Sequence, residues 1–159
     1  MGKLGWVVLF GTALSATSAS AIELTREAET NTPAAKVWAT VGDFCGIGVW
    51  HPAVEKCVES QKDGVPIRTL TLAGGGGTLV EALVSRDDKG MTYTYSILDG
   101  PLPVANYQST LSVAADGDGS AIRWRGTFDA KGASDAEAEK VIAGIYESGI
   151  KALVEKTQP

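Results

Sequence analysis

Arg68 and Glu81 are the residues of this 159-residue chain best placed to do chemistry, because each is a charge set among apolar and β-branched neighbours. Residues 64–84 read GVPIRTLTLAGGGGTLVEALV, two segments rich in Leu, Val and Thr joined by Gly74, Gly75, Gly76 and Gly77. Period-2 alternation predicts two strands, and burying an unpaired guanidinium or carboxylate is costly. The two side chains therefore face water, or they face each other. In the second case they sit on neighbouring antiparallel strands near the connecting loop, within cross-strand reach. A buried Arg–Glu pair could grip the polar end of a ligand, or hold a carboxylate ready for proton transfer. It could equally be a satisfied ion pair that ties two strands together, since such pairs are weak evidence of stabilisation.

Other chemistries find less support. The single histidine, His51, and the two cysteines do not make a zinc set. His51, between Trp50 and Pro52, reads as a turn residue. The glycine run lacks the GK[ST] ending and the following helix of a phosphate loop, and no nucleophile–base set is evident. No metal or cofactor is called for. A formal net charge of −5 without a basic patch argues against nucleic acid. Scattered exposed charges give no patch for a protein partner, and a monomer or weak dimer is expected.

The elements that must position these residues can be read from periodicity. Residues 1–21 read as a secretory signal peptide, with Lys3, an apolar run over 4–14 and an A-x-A site at Ala19-Ser20-Ala21; an uncleaved N-terminal anchor is the other reading. Cleavage near Ala21 would leave one domain, residues 22–159, in the periplasm or secreted. No later segment approaches 18 uninterrupted apolar residues, so no membrane span is expected. In an oxidising compartment Cys45 and Cys57 could form a disulfide worth on the order of 3 kcal/mol, or remain two buried thiols.

Within the domain, residues 22–31 alternate as a strand. Thr32-Pro33 then starts a helix, with threonine as cap and proline at the first position, carrying Ala34, Val37, Trp38 and Val41 through Phe44. A short helical turn holds Ile47, Val49 and Trp50. Strands over 54–60, 66–73, 78–86, 91–97, 105–114 and 121–131 come next, separated by turn signals as in an antiparallel meander. Ile122, Trp124 and Phe128 share one face of the last strand; the same parity groups Ala105, Tyr107, Ser109 and Leu111. A long helix opens on a Ser134–Glu137 capping box and runs to about residue 156, with an apolar stripe that includes Ile142, Ile145, Tyr146, Ile150 and Leu153. Only the sheet offers a surface large enough to bury that stripe.

The segments GDFCGIGVWHPAVEKC, IRTL, LVEALV, TYSILDGPLPVANYQSTLSV and IRWRGTF resemble the polyketide cyclase/dehydrase branch of the START-like (SRPBCC) superfamily, the group of lachrymatory factor synthase and the plant abscisic acid receptors. The resemblance spans residues 22–156. It implies an α+β helix-grip fold: a seven-stranded antiparallel sheet wrapped around a long C-terminal helix, with two short helices after the first strand. It also implies an apolar cavity between sheet and helix, walled by Leu70, Leu72, Leu79, Leu83, Tyr93, Tyr95, Tyr107, Trp124, Phe128, Ile145, Tyr146 and Ile150, with Arg68 and Glu81 reaching a ligand. Each aromatic alone could be plain core. By resemblance Arg68 and Glu81 stand at the family's cavity arginine and glutamate, Tyr107 at a cavity tyrosine, and Gly74 to Gly77 at the gate loop of the hormone receptors. The receptor gate's leucine-proline is missing, and Gly100-Pro101-Leu102-Pro103 lacks the histidine of the receptor latch. The resemblance thus implies a binding or carrier protein for a small apolar molecule with a polar end. The alternative is a cofactor-independent cyclase, dehydratase or isomerase, in which Glu81 is the general acid/base, Arg68 stabilises negative charge and Tyr107 or Tyr93 orients or relays.

Overall fold

A computed structural model describes residues 21–158; the signal peptide expected over residues 1–21 lies outside the described residues except for Ala21. Seven strands form one antiparallel sheet in the order β1-β7-β6-β5-β4-β3-β2. They are β1 (Ile22–Thr30), β2 (Val54–Lys62), β3 (Val65–Leu72), β4 (Thr78–Asp87), β5 (Thr92–Asp99), β6 (Val104–Asp116) and β7 (Gly119–Ala130). From β2 to β7 each strand pairs with its successor, joined by connections of two to five residues, as local hairpin chemistry favours. β1 pairs with β7, so the chain must cross from one sheet edge to the other between β1 and β2. The short helices α1 (Ala34–Val41) and α2 (Ile47–Trp50) make that crossing.

The long helix α3 (Asp135–Thr157) opens on the expected capping box, the Glu137 N–H donating to Ser134 Oγ and the Ser134 N–H to Glu137 Oε2. Its buried face carries Ala138, Ile142, Tyr146, Ile150 and Leu153 against β1 and β7. This is the helix-grip fold, held by one core that includes Leu24, Val37, Leu111, Val113 and Ile122. Gly149 lets α3 come close: a Cβ there would sit 2.6 Å from both His51 Cδ2 and Trp124 Cζ3.

Three local expectations need correction. Thr32 does not cap α1: Pro33 occupies the cap position without a side-chain bond, and the Thr32 hydroxyl instead donates to Thr157 O, tying the start of α1 to the end of α3. α1 stops at Val41 rather than Phe44, because Gly42 turns the chain at φ 70° and Asp43 accepts the Cys45 N–H in a side-chain turn. In β6 the face shared with Tyr107, Ser109 and Leu111 begins with Val104, not Ala105. A bulge at Ala105–Gln108, with Asn106 at φ 51°, inserts the extra residue that shifts the alternation.

Candidate functional site

Arg68 and Glu81 face each other across the β3–β4 ladder. Arg68 Nε donates to Glu81 Oε2 at 2.6 Å, and both residues are buried. A register shift in β4–β5 pairing, beside Glu81, skips Leu98 and lets the strand bend there. Arg68 Nη1 donates to Phe44 O at 2.6 Å, and its guanidinium lies 4.2 Å from the Phe44 ring centre and 4.9 Å from that of Tyr95. Cation–π contact adds to the ion pair where both are desolvated. Burial works against the guanidinium charge, but Glu81 and the Tyr93 and Tyr95 phenols outweigh it and hold Arg68 above its ordinary range. Burial pushes the Glu81 carboxyl up; the neighbouring Arg68 pulls it back only in part.

The loop that supplies Phe44 O is itself pinned. Cys45 and Cys57 are joined by a disulfide with Cα atoms 5.6 Å apart, which fastens the α1–α2 connection to β2. The Trp50 Nε1–H donates to Val41 O, closing the end of α1.

Between β3–β7, α2 and α3 lies a cavity of about 440 Å³. Its wall is largely aliphatic, with Glu81 on it and with Oε1 free of any hydrogen bond from the described residues. Of the expected wall residues, Leu70, Leu72, Leu79, Tyr95, Tyr107, Trp124 and Ile145 line it. Arg68, Leu83, Tyr93, Phe128, Tyr146 and Ile150 do not. Arg68 lies behind Glu81; Tyr93 packs between Trp38, Phe44 and Tyr95; Phe128 backs Tyr107; and Tyr146 stacks on Trp124 at 4.8 Å. Gly126 makes room for the Tyr146 hydroxyl, which a Cβ would strike.

The mouth of the cavity brings two loops together. Gly76 lines it with Leu72 and Ala73 on one side, and Pro101, Leu102 and Pro103 on the other. Gly74, Gly75 and Gly77 are off the wall, with φ of 65°, 75° and 90° that favour glycine. Gly77 faces Pro101, 3.7 Å from where its Cβ would be.

Sequence reasoning missed several wall residues: Ile47, Ala53, Val54, Ile97, Val141, Ile142 and His51. His51 follows α2 as a turn residue, yet its ring is buried between helix and sheet. Nδ1 accepts from the Ala53 N–H at 3.1 Å, so Nε2 carries the proton and donates to Ile145 O at 3.0 Å. Burial, helped by nearby Arg68, lowers its pKa to about 4 against the bond to Ile145, so the ring is neutral. The isolation of His51 in sequence hid this; its place between Trp50 and Pro52, on the rim of an apolar helical turn, was the available signal.

The hydroxyls beyond Glu81 form one directed chain. Trp124 Nε1–H donates to Tyr95 Oη at 3.1 Å, and at the far end Ser109 Oγ–H donates to Arg125 O at 2.9 Å. With Ser109's proton spent, Tyr146 donates to Ser109 Oγ (2.8 Å), Tyr107 to Tyr146 (2.6 Å) and Tyr95 to Tyr107 (3.3 Å). Burial pushes all three phenols up, Tyr146 to about 12, so each keeps its proton. The cavity can therefore hold an apolar body, and present a carboxylate oxygen to its polar end.

A family model described as polyketide cyclase / dehydrase and lipid transport matches residues 21–158. No curated protein matches the chain. Among solved structures, the crystal structure of an uncharacterised Bacillus thuringiensis protein is 33% identical, with TM-score 0.77 over 86% of this chain and 98% of that one. The Bacillus cereus protein XoxI is 34% identical, with TM-score 0.76 over 85% of this chain and 94% of that one. Ara h 8.0201, at 21% identity, shares the fold with TM-score 0.71 over 87% and 98% of the two chains.

Proposed function

From its membership of the polyketide cyclase / dehydrase and lipid transport family, to which this chain belongs, we propose that the protein binds or carries a small hydrophobic ligand in the cavity between sheet and α3. One observation carries the reading: a largely apolar cavity of about 440 Å³ has a buried carboxylate on its wall, with one oxygen outside the bond to Arg68. Ligand sites combine an apolar wall with a few placed polar groups in this way. Arg68 positions Glu81 and neutralises it, while the aliphatic wall supplies the affinity. Export to the periplasm or beyond belongs to the same proposal, supported by the Ala19-Ser20-Ala21 motif and by a disulfide suited to an oxidising compartment. Native mass spectrometry of the purified protein tests it: a retained small apolar molecule is expected. Protein that is repeatedly empty and also fails to take up a neutral apolar fluorescent probe overturns the reading.

A second reading has its own observation. Glu81 is a carboxylate on the cavity wall, and burial pushes it up while Arg68 pulls it back in part. Glu81 would then act as general acid/base on a bound substrate, with Arg68 stabilising developing negative charge and Tyr107 orienting. Turnover of an identified substrate that is lost in Glu81→Gln with uptake intact is the expected signature; turnover unchanged by that substitution removes this reading.

A further inference from the structure

Every side-chain proton on the cavity wall is already committed, and that limits what a ligand can bring to it. The polar side chains on the wall are His51, Glu81, Tyr95, Tyr107 and Trp124. His51 gives its proton to Ile145 O, Trp124 to Tyr95, Tyr95 to Tyr107 and Tyr107 to Tyr146. At the mouth the Ala73 N–H donates to Ala53 O and the Gly76 N–H to Ala73 O, while Pro101 and Pro103 have none. What remains free on the five side chains is lone pairs, foremost those of Glu81 Oε1. The fully buried Arg68 keeps Glu81 a carboxylate, because a neutral partner would leave a desolvated cation alone. Arg68 Nη2 has no hydrogen-bond partner, but Arg68 is not on the wall and its guanidinium lies against the Phe44 and Tyr95 rings.

We propose, on the premise that this cavity binds an apolar molecule, that its ligand is a neutral alcohol or phenol whose hydroxyl donates to Glu81 Oε1. An ether, ester or ketone brings a second acceptor to a wall whose side chains have no proton to offer, and a buried acceptor left unmatched costs more than a made bond gains. A carboxylate sets anion against anion. An ammonium meets the positive field of Arg68, which has already neutralised Glu81. Sites built around one hydrogen bond discriminate strongly against analogues that cannot make it.

The test uses one chain length with three ends: 1-octanol, methyl octyl ether and octanoate, each displacing N-phenyl-1-naphthylamine from the purified protein. Octanol is expected to bind at least about tenfold tighter than either of the others. Ether or octanoate binding as well as octanol overturns the inference and leaves the binding reading standing; a protein that takes up neither probe nor competitors overturns both. Tyr107→Phe supplies a variant that keeps the ion pair. It takes away the acceptor of the Tyr95 proton, which can then be offered to the cavity, so the preference for octanol over ether should shrink several-fold. An unchanged preference in a folded Tyr107→Phe protein overturns the assignment of the hydroxyl chain as the device that spends the wall's protons.

Discussion

Arg68 and Arg86 are two copies of one arrangement set at different depths. Each guanidinium pairs with a carboxylate at 2.6 Å, Arg68 with Glu81 and Arg86 with Asp88. Each donates to a carbonyl of the α1–α2 connection, Phe44 O or Gly42 O, and each lies near an aromatic ring, 4.2 Å from Phe44 or 4.9 Å from Trp38. The carboxylates differ: the Glu81 side chain is 4% exposed and that of Asp88 67%. Burial therefore pushes Glu81 up, whereas hydrogen bonds from Arg86 and from the Trp38 indole pull Asp88 down in open solvent. The same pairing stands in solvent at the surface and beside the cavity in the interior. What separates them is desolvation, together with the cavity that only Glu81 borders.

Removing each carboxylate is the most direct way to break that comparison. Glu81→Ala leaves a buried guanidinium without its anion and should cost about 3–5 kcal/mol in urea unfolding. Arg68→Met combined with Glu81→Leu should recover most of that loss; a double variant as unstable as the single would show that the pair organises the fold and not only the site. Next comes the shared anchor. Replacing both Cys45 and Cys57 by Ser frees the loop that carries Gly42 O and Phe44 O, and should cost about 3 kcal/mol, read as a lower urea midpoint.

A smaller effect is expected from His51, which faces the same cavity as Glu81. Its folded pKa of about 4 lies below the ordinary 6.5, so the unfolded chain binds the proton more readily. Stability is full well above pH 6.5 and falls as pH drops, by about 1.6 kcal/mol between pH 6.5 and 5 as the slope approaches about 1.4 kcal/mol per unit. Glu81, raised by burial, opposes this with stability that is lost as pH rises. The difference between wild type and His51→Gln in Tm against pH isolates the histidine; parallel curves would refute its buried neutral state. Smallest of all is Asp88→Asn, whose carboxylate is in solvent. It should leave Tm within measurement error and ligand binding unchanged, and a loss comparable to Glu81→Ala would erase the distinction between the two pairs.

The pattern of elements was readable because local signals carried it. The capping box at Ser134, the turn residues between strands, and the alternation of Ile122, Trp124 and Phe128 each act over a few residues. The Arg68–Glu81 pairing was also within reach, since a hairpin places its two strands opposite each other. The cavity was harder. Parity assigns a face to Tyr93, Phe128 and Tyr146, but not the layer: whether a ring meets the cavity or stands behind another ring depends on where α3 and α2 rest. Ala105 was misassigned because a bulge turns on one left-handed residue, Asn106, that nothing in an NYQS run announces. His51 and Arg86 find their carbonyl partners in distant segments, at Ile145 and Gly42.

By itself the amino-acid sequence determined the order of strands and helices, the meander, and the presence of an arginine and a glutamate that had to face either water or each other. Period and turn chemistry are local, and the cost of burying lone charges is general. Only the tertiary structure decided that Glu81 borders the cavity with one oxygen outside its bond to Arg68, and that the protons of His51, Tyr95, Tyr107 and Trp124 point elsewhere. Those facts depend on how α3 settles across the sheet at Gly149 and Gly126, since hydrogen bonds between residues dozens of positions apart form only once the packing has set their distances.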